Sequence, residues 1–274
     1  MPGHITPRDM HGGIAPYEFL ALDLKTDLPK TRHSCSICMI IVYLYSMRRH
    51  TVALSHKSDE SEALQHFISK IVNGQGYRTR RIRVDISGEQ TSNAMVDYLV
   101  DKGIAKEQVP HAHSPQSYPA ERQLQTLFRR ILVIKLAAQL PNWLWDELAE
   151  AVNHVDAALP VRDNPGGASP IAMITGTRPS AASFKVLGCL CFVHTPVSSL
   201  ESKTYQGTVV GYARDSVGLR VLVAGVHFRH KRAIIESNSV ICHEGIRGIN
   251  GTSFDSNIII TTTDGFDDFG TWDN

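Results

Sequence analysis

Three strand-length segments follow one another before any helical pattern begins, and that succession constrains the fold most tightly. Residues 17–24, 34–46 and 48–55 are rich in Ile, Val, Leu, Tyr and Thr, and the last two are joined closely enough for an antiparallel hairpin. A helix capped by Ser58 or Asp59 is expected next. Its apolar positions Leu64, Phe67, Ile68, Ile71 and Val72 recur with a helical period until Gly74 and Gly76 end it. Residues 80–86 read as a fourth strand. Thr91 then caps a short helix with Met95, Tyr98 and Leu99 on one face, Gly103 stops it, and residues 109–113 form a short fifth strand. A longer helix opens near Glu121, with Leu124, Leu127, Ile131, Ile134 and Ala138 in one stripe. This order implies an α/β class with helices on both sheet faces.

The second half changes character. A helix over residues 142–159 starts at Pro141 and turns Trp143, Leu144, Leu148, Val152 and Val155 inward, so that Trp143 and Trp145 read as core anchors rather than base-stacking platforms. After the breaker cluster Asp163-Asn164-Pro165-Gly166-Gly167, short alternating segments take over at 190–194, 208–212, 219–224, 232–235 and 239–242. Several short strands with glycine turns suggest a small β-barrel. Residues 1–16, rich in Gly, Pro and His, read as a leader or linker remnant; Ile258 to Thr263 has high β-propensity and receives no function.

Three acids stand out on this framework. Asp23 ends the apolar run Phe19-Leu20-Ala21-Leu22, Asp85 ends Arg81-Ile82-Arg83-Val84, and Glu121 opens the long helix after 35 intervening residues. Hard divalent cations take carboxylate oxygens held on rigid elements, and a pair of them can clamp the entering and leaving oxygens of an in-line phosphoryl displacement. Glu121, Gln125 and Arg129 follow one another at i+4 along the border of the helix stripe. An acid that merely favoured the positive helix N-terminus would explain Glu121 but not those neighbours.

Charge becomes informative once divided. The net charge is +1, yet from Gly251 onward there are five Asp and no Lys or Arg, which leaves +6 on the preceding 250 residues. Between Gly176 and Asn250 nine Lys or Arg face four Asp or Glu, an excess suited to phosphate or to an ordinary solvated surface. Five cysteines, with no apolar signal segment after Met1-Pro2-Gly3-His4, argue against a disulfide framework. Cys35 and Cys38, near His33 and His50, read as buried strand thiols rather than half a zinc site. No apolar run has the roughly 18 to 20 residues of a membrane span, and an intracellular location is the expectation.

Around these acids the text resembles a known family. Ile82-Arg83-Val84-Asp85-Ile86-Ser87-Gly88-Glu89 resembles the second-aspartate motif of copia-type retrotransposon integrases, and Ser114-Pro115-Gln116 with Ala120-Glu121-Arg122 resembles their catalytic glutamate motif. Further similarities are Asp23-Leu24 with Leu28-Pro29, Leu140-Pro141-Asn142-Trp143-Leu144-Trp145, Ser169-Pro170 with Thr175-Gly176-Thr177-Arg178-Pro179, Leu187-Gly188-Cys189 and Val210-Gly211-Tyr212, in family order from about residue 17 to 246. The resemblance implies a ribonuclease-H-like mixed sheet flanked by helices over residues 17–160, a connector over 161–184, a small β-barrel over 185–246 and an acidic tail over 247–274. It implies a polynucleotidyl transferase in which Asp23, Asp85 and Glu121 are catalytic and hold two Mg²⁺ or Mn²⁺ ions. Arg122, Gln125 and Arg129, with Arg229, Lys231 and Arg232 of the basic barrel, would contact DNA. The implied partners are the element's DNA ends, target DNA and further copies of the chain, with no membrane; the implied location is nuclear. The family's His/Cys zinc module stands upstream of the first aspartate, where this sequence has 22 residues.

The sequence also departs from the family. Ile86 and Ser87 stand where Asn and Gly usually follow the second aspartate, and Ser117-Tyr118-Pro119 replaces an Asn-Gly in the loop before the glutamate. Proline fixes its own φ and restrains Tyr118, so the loop should be stiffer. Besides an active integrase, two readings follow: a DNA-binding remnant whose chemistry is impaired, and a stand-alone ribonuclease-H-like nuclease.

Overall fold

The computed structural model describes residues 15–85, 93–109, 119–196, 202–214, 217–224 and 232–249; the side chains at 85, 108, 109, 181, 195, 196, 202, 203, 224, 232 and 233 are outside this description. The chain divides into two units. The first takes residues 1–127 and 155–181, the second 128–154 and 182–274.

The first unit is a five-stranded mixed sheet with helices. Its strands are β1 (Phe19–Lys25), β2 (Ile37–Tyr43), β3 (Arg48–Leu54), β4 (Arg81–Asp85) and β5 (Ala105–Val109), ordered β3-β2-β1-β4-β5. β1, β2 and β3 pair antiparallel, whereas β4 lies parallel to both β1 and β5. The parallel pairs require crossovers, supplied by α1 (Glu60–His66) and α2 (Asn93–Asp101). β2 is buried at every position, as a central strand covered on both faces must be.

α1 departs from the expected capped start. The helical course begins at Lys57, so Ser58 and Asp59 lie inside it, and Asp59 accepts a hydrogen bond from the His56 backbone N–H at 2.9 Å. After His66 the chain continues through π-helical turns over Phe67–Val72 and reverses at Gly76, whose φ of +78° glycine adopts without strain. Leu64, Phe67, Ile68 and Val72 pack with Leu20, Leu22, Met39, Ile41, Ile82, Met95 and Leu99 in one core on this side of the sheet. Alternation therefore puts Phe19, Ala21 and Asp23 on the other side.

The fifth strand lies four residues earlier than the sequence reading. Ala105-Lys106-Glu107-Gln108 carries little strand signal, but parallel pairing with β4 from Arg81↔Ala105 to Asp85↔Val109 makes it an edge strand that tolerates polar residues. The connecting segment also holds a helix that periodicity could not show, α5 (Pro170–Thr175). Ser169 Oγ accepts the Ala172 N–H at 3.3 Å, Pro170 occupies the first turn, and Gly176 closes the helix at φ +73°.

α3 (Pro119–Ala138) and α4 (Trp145–Ala158) each begin in one unit and end in the other. Pro119, expected to stiffen a loop, is the first residue of α3, where its missing N–H costs nothing. Trp145 is 1% exposed and anchors the core, whereas Trp143 is half-buried.

The second unit contains an antiparallel sheet ordered β10-β6-β7-β8-β9, from β6 (Cys189–Pro196), β7 (Ser202–Tyr212), β8 (Leu219–Ala224), β9 (Arg232–Ser237) and β10 (Val240–Arg247). β8 occupies the expected residues, while β7 and β10 are longer. Cys189, Cys191, Val193, Val209, Val221 and Val223 form its core. Burial pushes the Cys189 and Cys191 thiols up to about 12, which leaves them protonated packing groups. Cys38 is buried on β2, but Cys35 lies half-buried before that strand. Arg220 of β8 holds Glu147 of α4 through Nε at 2.6 Å and Nη2 at 2.7 Å.

Candidate active site

Strand register brings two of the acids together. β1 and β4 pair as Phe19↔Arg81, Leu20↔Ile82 and Ala21↔Arg83, a constant difference of 62 in residue number. Asp23 and Asp85 differ by the same amount and each stands two residues beyond the last paired position, so the two acids follow the paired segment on neighbouring parallel strands. Both stand at the C-terminal ends of their strands, where parallel sheets place ligand-binding positions. Asp23 is half-buried, and its Oδ1 accepts the Leu24 backbone N–H at 2.8 Å.

Glu121 approaches from the same side of the sheet. Ala21 pairs with Val42 and Val42 with Arg49, so Arg49 shares the face of Ala21 and Asp23. Arg49 is buried on that face. Its Nη1 donates to Gln123 Oε1 of α3 at 2.8 Å, and its Nη2 forms an ion pair with Asp156 of α4. Gln123 is two residues from Glu121, so this guanidinium fastens the start of α3 over the face that carries Asp23. Gln125 Nε2 donates to Glu121 Oε1 at 3.4 Å. Glu121 and Gln125 are half-buried; Arg122 and Arg129 are exposed, with Arg129 farther along α3 in the portion that belongs to the second unit.

Cationic side chains line the same face. Arg81 and Arg83 stack on the Phe19 ring at 4.3 and 4.8 Å, and Arg83 Nη2 contacts Glu107 Oε1 at 2.9 Å. Burial lowers the pKa of Lys25, two residues beyond Asp23.

One acid was missed by the sequence reading. Glu60, the first residue of α1, is buried; burial and then the charge of Asp23 push its carboxyl up to about 7, against the opposing pull of Lys106 and Lys57. In sequence it looks like any first-turn acid, and only tertiary packing singles it out.

Several expected positions fall outside the described residues: Ile86 to Glu89, Ser114 to Tyr118, Arg229 and Lys231, together with the side chains of Asp85 and Arg232. Among the described residues no group of three His, Cys, Asp or Glu side chains is arranged to hold a metal ion. No described helix is long and apolar enough to cross a membrane.

Over 197 residues, covering 70% of this chain, the sequence is 24% identical to the retrovirus-related Pol polyprotein from transposon TNT 1-94 of Nicotiana tabacum. The chain resembles part of a retrotransposon Pol polyprotein. That bears out the resemblance carried by the motifs, at the level of the polyprotein. The matched region is 14% of that relative's length. No protein-family model matches the chain. Among solved structures, a chain in the cryo-EM structure of the simian T-cell lymphotropic virus intasome in complex with PP2A regulatory subunit B56 gamma is 14% identical. The match covers 84% of this chain and 83% of that one, with a TM-score of 0.44.

Proposed function

We propose that the chain is the integrase segment of a copia-type retrotransposon Pol polyprotein, with a ribonuclease-H-like first unit and a barrel-like second unit, the basic excess lying between Gly176 and Asn250. The pairing of β1 with β4, which leaves Asp23 and Asp85 two residues beyond its last paired position, together with the helix of Glu121 over the face of Asp23, supports this reading. An all-oxygen carboxylate set on two strand ends and a helix suits hard divalent cations. Asp23, Asp85 and Glu121 would hold two Mg²⁺ or Mn²⁺ ions, which when bound stabilise the entering and leaving oxygens of an in-line displacement. Arg122, Gln125 and Arg129 orient phosphates, and Arg229, Lys231 and Arg232 add sequence-tolerant affinity for DNA.

In the first step a water oxygen bonds to phosphorus near the element's DNA end and the P–O3′ bond breaks, freeing a 3′ hydroxyl. In the second that hydroxyl attacks a target phosphodiester, giving one new 3′–5′ junction and one displaced 3′ hydroxyl. No covalent protein intermediate forms. The protein acts on DNA as an oligomer, in the nucleus.

The test is an assay of the full chain with labelled DNA ends and Mn²⁺. Joining of ends to target that is lost in Asp23→Asn and Glu121→Gln supports the reading. DNA binding without joining overturns the enzymatic part and favours the impaired remnant, which the Ile86 and Tyr118-Pro119 replacements would explain. Cleavage of RNA–DNA hybrids without end joining identifies a nuclease instead.

A further inference from the structure

The Val210-Gly211-Tyr212 motif has no part in the proposed function, and it ends β7 against one stripe of α4. Glu147, Glu150 and His154 follow one another about a turn apart along that helix. Glu147 takes Arg220 of β8, and Glu150 takes Arg214 through Nε at 2.8 Å and Nη2 at 2.5 Å. A Cβ added at Gly211 would lie 3.7 Å from Ala151 Cβ, so β7 ends in contact with the helix. His154, the third member of the stripe, stacks on Tyr212 with ring centroids 4.4 Å apart and planes 17° from parallel. Phe184 is perpendicular to both rings and nearly equidistant, at 5.9 and 6.0 Å, so it stands beside the stack rather than on top of it.

Exposure rises along the stripe: Glu147 is buried, Glu150 half-buried and His154 exposed. The Tyr212 hydroxyl donates to Lys185 O and accepts the Lys185 N–H, each at 3.2 Å, which fixes the lower ring. The imidazole is therefore the outer layer of an anchored stack. Every base has a π-face, and an unpaired one stacks on such a ring whatever its sequence. The charges suit a polyanion as well. Arginines compensate Glu147 and Glu150, and Phe184, Lys185, Tyr212 and Arg214 belong to the stretch in which nine Lys or Arg face four Asp or Glu.

We propose that His154 is a stacking platform for an unpaired base of single-stranded DNA, its ring held by Tyr212 and Phe184. This inference rests on the proposed function for its choice of DNA, whose ends supply unpaired bases where they fray.

The experiment measures, by fluorescence anisotropy in chelator, binding of the full chain to labelled single-stranded oligothymidylate and to an abasic strand of the same length. The parent should prefer the strand with bases. His154→Ala should weaken binding to oligothymidylate roughly 5- to 150-fold, the range for loss of one base–aromatic stack, and bind the abasic strand as the parent does. His154→Phe supplies another flat ring and should keep the parent's preference. The same ratio of the two affinities in parent and His154→Ala, or loss of the preference in His154→Phe, overturns the platform; retained DNA binding then leaves the proposed function standing. A parent that binds neither strand nor duplex DNA overturns both. If His154→Ala does not fold, His154→Gln replaces it, and a parent-like ratio there overturns the proposal.

Discussion

Removing the charge of Glu60 should make the metal-free protein more stable at alkaline pH. In the folded chain burial and Asp23 hold this carboxyl at about 7 against an ordinary value of 4.5. Below about pH 4.5 the group is protonated both folded and unfolded, so its ionisation costs nothing. As pH rises toward 7 the unfolded chain releases the proton while the folded chain keeps it, and stability falls; above 7 the full penalty is present. A difference of 2.5 pH units at ~1.36 kcal/mol each is about 3 kcal/mol. Glu60→Gln removes that penalty, so urea unfolding in chelator should show the variant more stable than the parent at pH 8 by about that amount, with the gap closing at pH 5. A gap independent of pH, or a variant less stable at pH 8, would refute the burial argument.

Three further outcomes are expected. Asp156→Ala leaves the Arg49 guanidinium buried without its ion-pair partner and should cost about 3–5 kcal/mol in urea unfolding; Arg49→Met with Asp156→Leu should recover most of it, and a cost below 1 kcal/mol for the single variant contradicts the role given to that pair. Gly188 has φ +85°, and an added Cβ would lie 2.1 Å from Ala138 Cβ, so Gly188→Ala should lower stability by about 2 kcal/mol or more; a thermal melt matching the parent's refutes the close approach. Replacing Arg229, Lys231 and Arg232 together with Ala should weaken DNA binding and flatten its salt dependence by about 0.9 per lost phosphate contact on a log–log plot; an unchanged slope moves the electrostatic footprint elsewhere.

Much of the first unit was legible because its elements carry strong local signals. The apolar runs before Tyr43 and Leu54 and the helical period through Val72 place β2, β3 and α1 within a few residues. Where tertiary pairing decides, local signal fails. Lys106 and Glu107 join a strand only because β4 offers a partner, and α5 is too short to show a period, although Ser169-Pro170 and Gly176 mark its two ends. Asp23 and Asp85 were legible because each closes an apolar strand, and their common offset from the β1–β4 pairs was hidden in the length of the crossover. The anchoring of α3 through Gln123 and Arg49 had no local signature, since a buried arginine on an edge strand reads as a solvated one. Glu60 was illegible for the same reason: an acid in a first helical turn is ordinary until packing removes its water.

The central claim is that Asp23, Asp85 and Glu121 converge on divalent ions, and anomalous diffraction from crystals soaked in Mn²⁺ tests it most directly. The account predicts anomalous peaks within about 2.5 Å of carboxylate oxygens from all three residues, two ions lying about 4 Å apart, the spacing of two-metal phosphoryl-transfer sites. Peaks bound elsewhere on the chain, or at Asp23 with Glu121 turned to the opposite side of the sheet, would contradict it.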